Sequence, residues 1–382
     1  MSYDGELAAW ASQAAARAEG ELVEHLMRLT AVDAPSGDVD TLRAAAEAFA
    51  AELAELGGEV KRHERAGIPH LSTCLGPEGD GHVLILCHYD TVWPAGTAAE
   101  RPGRVADGLV WGPGAFDMRG GIVEALGALR LLGPERLPAP VTVLLTGDEE
   151  TGSESSRELI LERARGASLV LVMEPPLPGG GLKTARKGWS VYGLEVSGRA
   201  AHAGLDPERG TSAIDELLEV LQRACALRSP ESGTTVNIGT IRGGTRTNVV
   251  AAKASAELEI RTANTVEARR TSAAMRSLRT TREGAALEVT LRHSRPPMER
   301  TAEVAAAAEL ARELARALGF ELREGSAGGT SDANLVTPLG IPVLDGLGPE
   351  GGGAHGLDEH IVVDSLVQRT ALMMLLLANA GR

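Results

Sequence analysis

A chain of 382 residues exceeds what one typical core organises and points to two domains, at about 150 residues each. Its 43% hydrophobic and 24% charged content is that of a globular protein. A net charge of −14 removes the electrostatic case for nucleic acid or an anionic membrane surface as partner. Cys74, Cys87 and Cys225 are odd in number and lack CxxC spacing, so neither a disulfide framework nor a cysteine zinc site is expected. The opening MSYDGELAAWASQAAARAEG has no basic start or apolar h-region, and no apolar run is long enough for a membrane span. The expected compartment is the cytoplasm.

Helical periodicity comes first, at Leu22, Leu26 and Leu29 and then at Leu42, Ala46, Phe49, Leu53 and Leu56, stopped by Gly57-Gly58. The apolar run HVLILCHYDTV reads as a buried strand ending in polar residues. A helix predicted over 121–132 leads to a second buried strand, VTVLLTGDEE, and one over 158–165 to a third, SLVLVMEPP. Alternating strands and helices predict an α/β domain with a mixed, mostly parallel sheet flanked by helices. Each of the three strands ends in ionisable residues: His88 and Asp90, then Asp148 to Glu150, then Glu174. Ligands of open α/β sheets gather at the carboxyl ends of strands, so this repetition marks a site.

From about Lys187 the texture changes. WSVYGLEVSG, a helix over 211–227, TTVNIGTIRGG, TNVVAAKASAELEIR, a helix over 266–283 and ALEVTLRHS give the order βαββαβ. This predicts a small α+β domain at 186–297 inserted between catalytic segments 1–185 and 298–382. A helix over 303–318 follows, after which strand and loop signals resume.

In order along the chain, His88, Asp90, Asp117, Glu149, Glu150, Glu174 and His355 supply imidazole and carboxylate groups, the donors that zinc and similar dications accept. Two metals need a shared carboxylate and separate ligands on either side. Five residues could do this, with Asp117 as the bridge, His88 and Glu174 on one ion, and Glu150 and His355 on the other. Asp90, two residues beyond His88, is placed to accept the second N–H of the imidazole. Glu149 is then left to move a proton. Taken singly, each residue has an ordinary reading: His88 as a core histidine, Asp117 in a turn, Glu149-Glu150 as helix N-terminal acids, His355 in a flexible loop. Their joint order argues otherwise. GPGAFD lacks the remaining features of a dinucleotide loop. Ser153, Ser155 and Ser156 have no triad partner arrangement in the sequence. GGTSDAN reads as a turn leading into a helix capped by Ser331 or Asp332.

HYDTV, GPGAFDMRGG, TGDEETGS, MEPP and AHG resemble the successive motifs of the M20 family of metallopeptidases, across nearly the whole chain. Within the family the glutamate carboxypeptidases are nearest. The resemblance implies His88, Asp117, Glu150, Glu174 and His355 as ligands of two divalent ions, zinc first, with cobalt or manganese as alternatives. It selects Glu150 over Glu149 and His355 over His360, and makes Glu149 the general base. It also implies dimerisation through the inserted lid domain. SGRAAHAG resembles the family's lid segment, so His202 would stabilise the oxyanion; Asn248 and Arg261 would bind substrate, Arg261 through its carboxylate. The expected substrate is a peptide or an N-acyl amino acid. One departure stands out: EGSAGGTSDA has no Arg or Lys before its glycines, where glutamate carboxypeptidases carry a basic residue, and Lys183, Arg186 and Lys187 are weak substitutes. A transferase or a non-hydrolytic binding protein of the same fold is the rival reading, and Glu149 argues against binding alone.

Overall fold

Strands made almost wholly of Val, Leu and Ile must be covered on both faces, and this requirement organises the larger part of the chain. The computed structural model describes residues 5–79 and 81–380. Strands Val141–Thr146, His82–His88, Ala167–Val172 and Val343–Asp345 lie side by side in that order and run parallel. Antiparallel neighbours continue the sheet on both sides: Ile68–Leu75 and then Lys61–Arg65 beyond Val141–Thr146, and Leu182–Arg186 beyond Val343–Asp345. Glu324–Ala327 completes eight strands. His88 pairs with Thr146 and Leu86 with Val172, so the carboxyl ends of the central strands are level.

Helices flank this sheet. Val39–Ala54 begins where the Asp38 carboxylate accepts the Thr41 N–H at 3.2 Å, an N-cap. Val363–Ala378 packs on Gly120–Leu132 and on Gly5–Arg17, and joins them in one core with the sheet. Neither terminal helix follows from the periodic signals. In LVQRTALMMLLLA nearly every position is buried, so no polar face reveals the helical period. A small separate sheet pairs His360–Val362 with Leu109–Trp111 and Gly351–Gly352.

Contact density divides the chain into two units: 1–184 with 300–326 and 331–382, and 185–299 with 327–330. In the second, strands Gly188–Ser197, Thr235–Gly243, Lys253–Thr262 and Ala286–Arg295 form an antiparallel sheet with Lys253–Thr262 and Gly188–Ser197 at its centre. Helices Ala213–Cys225 and Thr265–Ser277 alternate with these strands in the order βαββαβ. The third strand starts at Lys253, later than the sequence suggests, because residues 248–250 pair with the 201–203 segment instead. Ser212 and Asn264 cap the two helices by accepting the N–H of Asp215 and Glu267.

Candidate active site

The larger unit carries seven of the ten residues singled out by sequence, and it brings them together. His88 closes its strand with 2% exposure. Its Nδ1 lies 3.0 Å from the backbone carbonyl of Asp90, which can only accept, so Nδ1 carries the proton and Nε2 faces the carboxylates. That Nε2 is 3.2 Å from Asp117 Oδ1 and 3.7 Å from Glu174 Oε1. On the other side, His355 Nε2 is 3.4 Å from Asp117 Oδ2 and 3.2 Å from Glu150 Oε1. The two oxygens of Asp117 therefore face different histidines.

Local backbone geometry explains how these side chains are delivered. Asp117 leaves helical conformation (φ −119°, ψ 94°), so the chain kinks where the carboxylate must project. His355 has φ 61°, left-handed backbone in a non-glycine residue, which a scaffold must impose. Gly121, in the first turn of Gly120–Leu132, brings that helix against the Met173 carbonyl, one residue before Glu174. Gly-Gly after Asp117 is thus a packing requirement as well as a motif.

Asp90 does more than its expected role beside the imidazole. Its carboxylate is 3.5 Å from His88 Nδ1, farther than its own backbone carbonyl. The chain turns after His88, and the fully buried carboxylate accepts the N–H of Glu149 at 3.1 Å, the N–H of Glu150 at 3.2 Å and the Ser36 hydroxyl at 2.7 Å. Asp90 orients the acid pair more directly than the imidazole.

Burial opposes a charged His88, but hydrogen bonds to Asp117 and Asp90 hold it well above the usual imidazole range. Hydrogen bonds to Asp117 and Glu150 push His355 up to about 10. Burial would raise Asp117, yet the two imidazoles hold it well below the usual carboxylate range. Burial pushes Glu150 up against its single hydrogen bond from His355.

Five carboxylates (Asp90, Asp117, Glu149, Glu150 and Glu174) thus share a largely buried site with two imidazoles. Such an excess of negative charge calls for cations. Ligand atoms of His88, Glu149 and Glu174, and of His88, Asp117 and Glu150, lie within 4.8 Å of one another. The donors are nitrogen and oxygen without sulfur, a set that fits zinc, cobalt or manganese.

The chain matches the model of peptidase family M20/M25/M40 over residues 84–379. It belongs to that family. Carboxypeptidase G2 of Pseudomonas sp. (strain RS-16) is 30% identical over 97% of this chain and 91% of its own length. Succinyl-diaminopimelate desuccinylase of Methylorubrum populi is 29% identical over 85% of this chain and 90% of its own. Aminopeptidase PepT of Bacillus cereus shares the fold, with a TM-score of 0.76 at 23% identity over 95% of this chain and 99% of its own. This member of the M20 family is a metal-dependent hydrolase of the amidohydrolase kind, near carboxypeptidase G2.

The smaller unit of this M20 chain holds the remaining three residues. His202 is exposed, and its Nδ1 accepts the N–H of Gly204 and of Leu205, both at 3.1 Å. Its proton therefore sits on Nε2. Asn248 is set beside it, its carbonyl accepting the Ala203 N–H at 3.0 Å. Arg261 is not an open fork. Its Nε donates to Glu259 Oε1 at 2.9 Å, Nη2 to Glu259 Oε2 at 3.3 Å, and Nη1 to the Gly328 carbonyl at 2.9 Å. Residues two apart on a strand share a face, which pairs them. Arg186 Nη1 also reaches the Gly329 carbonyl at 3.4 Å, so the segment that lacks a basic residue in sequence receives two guanidinium groups through space.

Two further features escape the sequence. Ser155 Oγ lies 3.1 Å from His70 Nε2, but His70 Nδ1 accepts the Gly147 N–H and Ser155 donates to Asp148 Oδ2 at 2.7 Å. The hydroxyl proton is directed away from the imidazole, so this chain of bonds props the 147–156 turn and offers no nucleophile. Ser331 Oγ accepts the Ala333 N–H at 3.2 Å at the head of the short helix Ala333–Val336, while Asp332 makes no such cap. The second feature is Glu359, four residues past His355, which is 1% exposed and accepts from the Asp117 N–H at 3.0 Å. Burial pushes its carboxyl up, against hydrogen bonds from the Asp117 and Gly114 backbone. No helix is long and apolar enough to cross a membrane among the described residues.

Proposed function

We propose that this chain is a two-zinc hydrolase that cleaves a peptide or N-acyl amide bond beside a free carboxylate. The observation carrying this reading is the split of Asp117 between His88 with Glu174 and His355 with Glu150. His88 and Glu174 would hold one ion, Glu150 and His355 the other, with Asp117 between them. Bound there, the dications would supply Lewis acidity to the scissile carbonyl and to the attacking water.

The protein's own groups do the rest. Glu149, fixed through its backbone N–H to Asp90, takes the proton of the attacking water as the C–O bond forms. It returns that proton to the leaving nitrogen as the C–N bond breaks. Asp90 keeps the Glu149-Glu150 turn in place, and the Asp90 carbonyl keeps His88 Nε2 unprotonated toward the site. His202 presents an Nε2–H suited to the developing oxyanion. Arg261 is the anchor for the substrate carboxylate, supported by Arg186, and the incoming carboxylate takes the place of Glu259 on its fork. Exposed Leu218 and Ile241 on the smaller unit support a homodimer formed through it, which sedimentation analysis would test.

The test is metal analysis followed by a panel of dipeptides, glutamyl amides and N-acyl amino acids, with and without an amine acceptor. Two equivalents of metal and free amino acid without acceptor are expected. Glu149→Gln should keep the metal and lose turnover by at least two orders of magnitude, within the usual worth of a general base. A metal-free active enzyme, or undiminished turnover in that variant, would remove the mechanism.

A further inference from the structure

The turn that presents Asp117 cannot satisfy its own backbone. Ala115 N–H reaches the Gly112 carbonyl at 3.2 Å, but Gly114, Phe116 and Asp117 stand at the head of the turn, where their N–H groups have no helical carbonyl behind them. All three go to one side chain. Glu359 Oε2 accepts from Gly114 at 2.8 Å and from the Trp93 indole N–H at 2.8 Å; Oε1 accepts from Phe116 at 3.1 Å and from Asp117 at 3.0 Å.

We propose that Glu359 is the positioning residue of the metal site, setting Asp117 through the backbone of the 114–117 turn and locking that turn to the loop that carries His355. The inference rests on the two-metal reading above. Four donors converge on two oxygens, two on each, and only a carboxylate accepts at both. Arg119 completes the arrangement from the opposite polarity: almost fully buried, it donates to the Pro113 carbonyl at 3.1 Å and to the Val32 carbonyl at 2.6 Å. Buried acid and base therefore hold the donors and an acceptor of the same turn. Glu359 is itself registered by its carbonyl, which accepts the Gly112 N–H at 3.2 Å, and by the pairing of His360–Val362 with Leu109–Trp111. A shift of Glu359 would thus move Asp117 relative to His355, the two groups that the proposed second ion must bridge.

Glu359→Gln is nearly isosteric and isolates the claim, because its amide NH2 would confront two N–H donors whichever way it turns. Metal-depleted protein is titrated with Co2+, reading affinity by calorimetry and ligand geometry by the visible spectrum. Glu359→Gln should bind about 10–100-fold more weakly, as for other lost supports of metal ligands, with an altered spectrum. Glu359→Asp, which keeps two accepting oxygens, should recover part of that loss. Unchanged affinity and spectrum in Glu359→Gln, or an Asp variant no better than Gln, overturns the proposal. Should neither variant fold, hydrogen exchange on the metal-free wild type decides: slow exchange at the amides of Gly114, Phe116 and Asp117 supports it, and exchange at the rate of an open loop overturns it. A wild type that takes up no Co2+ would sink the two-metal reading instead, leaving the exchange result to judge the Glu359 contacts.

Discussion

Replacing Gly121 by alanine sets two opposed effects against each other at one atom. In a helix, alanine is favoured over glycine by about 0.5–1 kcal/mol. Here the added Cβ would run into the carbonyl oxygen of Met173 and crowd its backbone carbon. That backbone has little room to yield: the Met173 N–H is bonded to the Leu86 carbonyl at 3.2 Å, and the next carbonyl, of Glu174, accepts the Gly348 N–H at 3.0 Å. Forcing a methyl group into such packing costs about 1–3 kcal/mol. The net expectation is a loss of up to roughly 2.5 kcal/mol, taking the helix gain from the overpacking cost.

Gly20 supplies the control. It lies exposed in the helix Glu19–Thr30, and a Cβ there would meet nothing within 4 Å. Gly20→Ala should therefore stabilise by up to about 0.5–1 kcal/mol. Thermal and urea unfolding in a chelator keeps metal binding out of the comparison. At roughly 1–2 °C per kcal/mol for a chain of this length, the two variants should fall on opposite sides of wild type. Gly121→Ala should also weaken metal uptake, because Glu174 moves with Met173. A Gly121→Ala protein as stable as Gly20→Ala, with unaltered metal affinity, would refute the packing argument.

Asp90→Asn should lower kcat about 10–100-fold with metal retained, since one amide oxygen cannot accept from Glu149, Glu150 and Ser36 together; steady-state kinetics with metal analysis checks it. With His88 well above its usual range and His355 at about 10, both imidazoles are protonated near pH 7 in metal-free protein. Metal uptake should release protons and tighten about tenfold per pH unit for each proton displaced, read by calorimetry in buffers of different ionisation enthalpy. The sign reverses for metal-free stability: the His355 contribution is fully present below its unfolded pKa near 6.5 and is lost as pH rises through about 10, seen by urea unfolding across that range. Arg261→Ala should raise KM for carboxylate-bearing substrates more than it lowers kcat, while Glu259→Ala, which opens the fork, should lower KM.

Much of the site was legible because its chemistry restricts the side chains. Few residue types bind hard or borderline dications, so His88, Glu150 and Glu174 stand out at the ends of apolar runs, whereas Asp117 in its turn and His355 in its glycine-rich loop are marked by the family motifs. The strands were legible for a related reason: burial on both faces forces continuous Val, Leu and Ile. The same burial hid the helix Val363–Ala378, whose apolar surface runs all the way round and leaves no periodic contrast. It also hid the wiring of Arg261, since nothing in ELEIR says whether the strand neighbour Glu259 or a substrate holds the guanidinium.

Support for the site is silent in sequence because it works on backbone atoms, which every residue carries. Glu359 binds three main-chain N–H groups whose owners include a Gly and a Phe, and no property of those side chains points to it. Asp90 likewise acts on the N–H groups of Glu149 and Glu150, so its motif position suggests the imidazole partner but not the turn that its carboxylate also serves. Gly121 matters through the atom it lacks. A chain could therefore keep every metal-binding side chain while losing Glu359, which lies outside the family motifs, or Gly121, the last residue of GPGAFDMRGG. Activity in such a chain would fall because Asp117 or Glu174 was held in the wrong place. The test that separates the cases is metal affinity, which responds to where donors sit and not only to whether they are present.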